Sequence, residues 1–322
     1  MDILNKEAWE QKALIKAGAL SVSELMQETL ARIELVNPKV NALVNILSKE
    51  ACEKLASAEC PLEGALGGMP MAIKDLANVK GFKTTEGSPL YSERVARKDD
   101  QMVARLRAAG ALFIGKTNTP EFGLGSNTFN PVYGKTKNPY DLTRTCGGSS
   151  GGAAVALATR MLSISDGSDM MGSLRNPAAW NNVYGLRPTW GLVPPEPSGE
   201  IFLSQLSTLG PMARSPKDLA LLLDVQANHF DNKSYVLQSK SFWNFTAQPR
   251  MEGIKIGWLG DWGGTLAFED ELLDLAQNAL NEMSSLGAII RDLKAPFAMD
   301  DIWTSWCDLR AWQITNGLRD IY

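Results

Sequence analysis

Apolar positions recur along this chain with two different periods, and the switches between them mark out its elements. Leu25, Leu30 and Ile33 follow Ser21-Val22-Ser23-Glu24 at helical spacing, and a serine with a glutamate three residues later is the reciprocal capping pattern of a helix start. Asn37-Pro38 is expected to end that helix, because the residue before a proline is pushed out of helical geometry. Further helical patterns run through 99–109, 215–227 and 270–286. The second of these opens on Ser215-Pro216-Lys217-Asp218, which supplies an N-cap, a proline at the first helical position and an acid in the first turn. Apolar runs of strand length lie at 41–47, 69–73, 111–114, 254–259 and 288–290. Helix and strand alternate, so the fold class expected is α/β. The segment 228–251 is polar and aromatic without a period, and reads as an excursion rather than a domain boundary.

Chemistry concentrates where glycines cluster. Gly147-Gly148-Ser149-Ser150-Gly151-Gly152 leads straight into Ala153-Ala154-Val155-Ala156-Leu157-Ala158. The glycines therefore lie at a helix N-terminus, where unhindered N–H groups and the helix dipole favour negative charge. Gly172-Ser173 offers a second serine, and Lys74-Asp75 follows the run 69–73. The single histidine, His229, is far from every serine cluster, which makes a lysine the simpler base. Lys74 is either a solvated strand-end charge or a buried, unpaired amine whose pKa desolvation lowers. Alternation along the strand sends Asp75 to the opposite face from Lys74. The string 110–117 satisfies the phosphate-loop pattern G-x-x-x-x-G-K-[ST]. Its interior, Ala111-Leu112-Phe113-Ile114, has the character of a strand, and Asn118-Thr119-Pro120 disfavours the helix that should follow. No nucleotide site is expected at Lys116.

Composition narrows the partners. The chain has 322 residues, 44% hydrophobic and 21% charged, with a net charge of −4 and acids and bases interspersed. That is globular material without an electrostatic footprint for nucleic acid or an anionic membrane. The partner expected is a small molecule. With neither a secretory signal nor an apolar run of membrane-spanning length, the chain reads as cytoplasmic. Cys52, Cys60, Cys146 and Cys307 lack paired metal-ligand spacing and read as buried free thiols. Trp180, Trp190 and the tryptophans of 303–312 read as buried aromatic core.

Several motifs stand together: Gly68-Met69-Pro70 with Lys74-Asp75, Gly115-Lys116-Thr117-Asn118, the run 147–152, Gly167-Ser168-Asp169 with Gly172-Ser173-Leu174-Arg175, Gly185-Leu186-Arg187-Pro188-Thr189, and Gly210-Pro211-Met212-Ala213-Arg214-Ser215. In type, order and interval they resemble the amidase signature family of serine hydrolases, best over 21–227. The resemblance implies one α/β domain across 1–322, a central mixed β-sheet flanked by helices. It implies that Ser173 is the acylated nucleophile, Ser149 the bridging serine preceded by a cis peptide, and Lys74 the base. Backbone N–H groups of Met170, Met171, Gly172 and Ser173 would form the oxyanion hole, with Ser150, Asp169 and Arg175 in support. No metal and no organic cofactor is implied. The activity implied is hydrolysis of a C–N amide bond of a small molecule through an acyl-enzyme. Its alternatives are an amidotransferase subunit that releases ammonia from an amide donor for a partner chain, and a catalytically impaired, truncated remnant. A homodimer is left open.

Two departures from the family accompany the match. The family usually reads Asp-Thr-Gly-Gly-Ser where this chain reads Asp169-Met170-Met171-Gly172-Ser173. Met171 is tolerable there if its φ is negative and its side chain turns away. Family chains also continue well past this length, and 318–322 keep an apolar content, so a C-terminal truncation is expected.

Overall fold

The computed structural model describes residues 3–58, 62–194, 196, 200, 202–227, 237, 241–243 and 250–321. His229, Cys60 and most of the aperiodic segment 228–251 lie outside the described residues. The chain divides into two compact units, Met1–Phe245 and Thr246–Tyr322.

In the first unit α1 (Ala8–Lys16) and α2 (Val22–Val40) precede β1 (Leu43–Val44), α3 (Lys49–Ser57) and β2 (Pro70–Lys74). The capping box forms as the sequence predicts: Glu24 N–H donates to Ser21 Oγ at 3.1 Å, and Ser21 N–H donates to Glu24 Oε2 at 2.8 Å. Asn37-Pro38 does not end α2, which runs on to Val40. The proline falls in the last turn, where little of the backbone ladder remains to be lost. Asn41 closes the helix in the left-handed region at φ 51, and Asn37 Oδ1 accepts the N–H groups of Ala42 and Leu43, each at 2.9 Å.

Next come α4 (Gln101–Ala108), β3 (Leu112–Thr117), the short pair β4 (Phe129–Asn130) and β5 (Gly134–Lys135), then α5 (Gly151–Ala158) and β6 (Ile164–Asp169). The unit continues with α6 (Arg175–Trp180), β7 (Tyr184–Gly185), β8 (Thr208–Ala213) and α7 (Pro216–Gln226). β3 pairs parallel with β2 and antiparallel with β1, while β8 lies antiparallel between β6 and β7. β2 runs alongside β6. The result is an α/β fold with a central mixed sheet flanked by helices. α5 is buried from Gly151 through Leu157, as its all-apolar sequence requires. β6 carries no apolar alternation, so its strand character is invisible in the sequence, yet five of its six residues are buried.

The interior of the phosphate-loop string is strand β3, and Lys116 is fully buried within it. Its backbone N–H groups serve the ladder rather than a phosphate.

The second unit holds β9 (Lys255–Trp258), α8 (Leu272–Ser285), β10 (Ile289–Asp292) and α9 (Met299–Gly317). β9 and β10 pair in parallel across the α8 connection, the βαβ arrangement that parallel pairing demands. The expectation of a buried tryptophan core is corrected here: Trp180, Trp303 and Trp312 are exposed, and Trp190 and Trp306 are only partly buried. Trp303 instead stacks on Trp306 at 5.2 Å between ring centroids, on a helix with no buried residue. Cys52 and Cys146 are buried free thiols, whereas Cys307 is partly exposed. Among the described residues, no helix is long and apolar enough to cross a membrane.

Candidate active site

Lys74 is the last residue of β2, and its side chain is buried with 1% exposure. Strand alternation separates it from its neighbour. Asp75 turns the other way and meets Lys116 at 3.6 Å, so Lys74 is left with hydroxyls rather than a carboxylate. Its Nζ lies 2.7 Å from Ser149 Oγ, 2.9 Å from Ser150 Oγ and 2.9 Å from Ser168 Oγ. Burial lowers its pKa to about 7, against the opposing pull of the Asp166 and Asp169 carboxylates. An amine in that state is partly neutral near pH 7 and can accept a proton.

The serines arrive from the turn into α5. Gly148-Ser149 is a cis peptide, and Gly147 before it stands at φ 75, in the region that favours glycine. Thr128 fastens this turn: its N–H and its Oγ1–H both donate to Gly147 C=O, at 3.1 and 2.9 Å, and its Oγ1 accepts from Gly151 N–H at 3.1 Å. Ser150, the helix N-cap, ties three segments together. Its N–H donates to Ser173 C=O at 3.2 Å, its Oγ accepts from Ser168 N–H at 3.3 Å, and Lys74 holds the same oxygen.

Ser173 sits between β6 and α6, partly exposed. Asp169, at the end of β6, organises that loop by accepting the N–H groups of Gly172 at 2.7 Å and Leu174 at 3.1 Å. Arg175 grips the same carboxylate through Nε at 3.0 Å and Nη2 at 3.1 Å, and Arg187 Nε stands 3.4 Å away. Burial pushes the Asp169 pKa up, but Arg175 and the two backbone donors outweigh it and hold the group below the usual carboxylate range. Gly172 N–H is thus committed to Asp169. The N–H groups of Met170, Met171 and Ser173 have no hydrogen bond among the described residues. Met171 meets the backbone condition set by the sequence, since its φ is not positive, and the residue is 54% exposed. The positive φ of the loop, 106°, falls on Gly172.

The fold thus brings Lys74, Ser149 and Ser150 into one hydrogen-bonded cluster and ties the Ser173 loop to it through the backbone. No hydrogen bond joins Ser149 Oγ to Ser173 Oγ among the described residues. Sequence reasoning assigned no part to Ser168, Asp166 or Thr128. The first two share one face of β6, a period-2 relation that becomes visible only once that segment is known to be a strand. Among the described residues no group of His, Cys, Asp or Glu side chains could hold a metal ion.

The family model for Amidase matches residues 24–309. A glutamyl-tRNA(Gln) amidotransferase subunit from Carboxydothermus hydrogenoformans is 37% identical over 308 residues, 92% of this chain and 62% of the relative. The chain therefore spans about three fifths of that relative's length. A bacterial aryl acylamidase of the amidase signature family superposes with a TM-score of 0.87 at 30% identity, covering 98% of this chain and 67% of that one. The 6-aminohexanoate cyclic dimer hydrolase in complex with substrate gives 0.82 at 30% identity, covering 91% and 61%. The match runs through the whole of the lysine and serine cluster and most of the second unit, and this chain belongs to the amidase signature family.

Proposed function

We propose that this protein hydrolyses a C–N amide bond of a small molecule through an acyl-enzyme on Ser173, as one amidase signature domain across 1–322. The observation that carries the reading is the buried Lys74 amine, 2.7 Å from Ser149 Oγ and free of any carboxylate ion pair among the described residues. Neutral Lys74 accepts the Ser149 proton, Ser149 takes the proton of Ser173, and Ser173 Oγ attacks the amide carbonyl. The N–H groups of Met170, Met171 and Ser173 receive the oxyanion, with Gly172 giving the loop its turn. Ammonium Lys74 then returns a proton through Ser149 to the leaving amine, and water repeats the sequence on the ester. Ser150, Asp169 and Arg175 hold the two loops in place.

A serine-directed fluorophosphonate tests this reading. Wild-type protein is expected to be labelled at Ser173, Ser173→Ala to be inert, and Lys74→Ala to react about 10² to 10⁴ times more slowly. Labelling or amide turnover by Ser173→Ala at the wild-type rate would defeat it. A second reading, one subunit of an amidotransferase, draws on the 37% identical relative of that name. It predicts ammonia release from glutamine only when partner chains are supplied, whereas the first predicts unaided cleavage of simple aryl or aliphatic amides.

A further inference from the structure

Strands β2 and β6 run side by side, yet no backbone ladder joins them among the described residues. The Lys74 N–H, which a ladder would satisfy, donates instead to Asp166 Oδ1 at 3.0 Å. Asp166 is buried to 1% exposure in the middle of β6. Two residues further along the same face, Ser168 Oγ lies 2.9 Å from Lys74 Nζ. One strand therefore grips the lysine at both ends, by its backbone and by its amine.

We propose that Asp166 is a positioning residue for Lys74: its carboxylate stands in for the missing ladder, holds the amine among the serines, and through its charge governs the pH at which that amine becomes a free base. This rests on the proposed role of Lys74 as base.

Among the described residues, Lys116 is the one further charge that acts on Asp166 beside Lys74 and the backbone, and the remaining charges nearby are engaged elsewhere. Lys74 comes from β2 and Lys116 from β3, and Lys116 is already engaged by Asp75 at 3.6 Å. Asp169, on the same strand, is taken by Arg175 and Arg187. α5 and β8, which also pack on β6, carry no ionisable side chain. On α7, Asp218 accepts the N–H groups of Ala8 and Trp9, Lys217 lies 3.2 Å over the Trp9 ring, and Asp224 holds the N–H groups of Phe242 and Trp243. The charged residues of α2, which touches β2, are exposed or partly so. Burial raises the Asp166 pKa to about 6, opposed by the Lys74 N–H and the two lysines, so its charge changes in the range where Lys74 is used.

Asp166→Asn separates charge from position, because a carboxamide oxygen still accepts the Lys74 N–H. In that variant the acid limb of fluorophosphonate labelling should move to lower pH by about one unit, with the plateau rate within roughly threefold of wild type, since a negative charge that favoured ammonium is gone. Asp166→Ala removes the hydrogen bond as well, and its plateau should fall at least about tenfold. An unmoved acid limb in Asp166→Asn, or equal plateaus in the two variants, would overturn the proposal. Should neither variant fold, the wild-type protein suffices. The Lys74 Nζ and Asp166 carboxyl resonances should each show an inflection from the other's titration, and two independent single-step curves would sink the coupling. These NMR titrations need no turnover. Absence of wild-type labelling would tell against the proposed function while leaving the Asp166 coupling to be judged on its own.

Discussion

Asp75 and Lys116 face each other at 3.6 Å with both side chains fully buried, Asp75 just past the end of β2 and Lys116 one residue before Thr117, the β3 partner of Lys74. Lys116 Nζ also donates to Ala77 C=O at 2.5 Å and Thr84 Oγ1 at 3.3 Å, and Asp75 Oδ2 accepts from Thr85 Oγ1–H at 2.5 Å. Burial pushes the Asp75 pKa up and the Lys116 pKa down, and each partner's charge opposes that shift in the other. The motif that mimics a phosphate loop is therefore a structural ion pair that absorbs the acid beside Lys74.

Lys116→Met strands a buried carboxylate, and the expected loss in chemical denaturation is about 3 to 5 kcal/mol. The double variant with Asp75→Asn should recover part of that loss, because the stranded charge is gone. A Lys116→Met loss below about 1 kcal/mol would show that the pair carries little of the fold.

The pH response of Lys74 has a definite sign. Its folded pKa is lowered from 10.5 to about 7, so labelling of Ser173 should fall as pH drops through about 7. Between about 7 and 10.5 the unfolded chain binds a proton that the folded chain does not, so this residue makes stability rise with pH across that window. Lys74→Met should lose labelling and also lose that slope. Parallel stability profiles for wild type and variant from about pH 7 to about pH 10 would contradict the desolvated amine.

Two glycines should fail for different reasons. A Cβ on Gly152 would overlap Asn118 N and stand 2.6 Å from Ala42 O, both backbone atoms that cannot yield. Gly152→Ala is expected to cost several kcal/mol, on the order of the overpacking limit, and to prevent accumulation of folded protein. Gly172 has open space, with Asn176 Cβ at 3.8 Å, but a φ of 106°. Gly172→Ala should fold with a loss of about 1 to 3 kcal/mol and a lower labelling rate, since the loop itself must shift. Thermal unfolding beside labelling separates the two outcomes.

Met171→Gly restores the usual family residue at an exposed position of ordinary φ. Its labelling rate should stay within about tenfold of wild type, because the proposed oxyanion hole would use the backbone N–H. A large gain would mean that the methionine impairs the loop.

Much of the architecture could be read from local pattern. Ser21 with Glu24, and Ser215 with Pro216, carry their helix starts in four residues, because capping is a matter of atoms close in sequence. The Lys74 and Ser149 relation was reachable only through the resemblance, since 75 residues separate them and no spacing rule spans that gap. β6 escaped notice because Ile164-Ser165-Asp166-Gly167-Ser168-Asp169 looks like a loop. Asp166 and Ser168 bond to Lys74, and Asp169 bonds to the loop that follows, partners that composition does not reveal.

The residues alone determined which chemical groups are present: a strand-end lysine, the serines Ser149, Ser150 and Ser173 beside glycines, and a backbone able to turn tightly at both of their segments. Tertiary packing decided which groups meet. It sent Asp75 to Lys116 and left Lys74 to the serines, gave Gly172 N–H to Asp169, and set Asp166 and Ser168 at the two ends of the lysine. Alternation along a strand is local, but a side chain's proton affinity depends on which distant segment closes over it and excludes water, and only the folded chain supplies that.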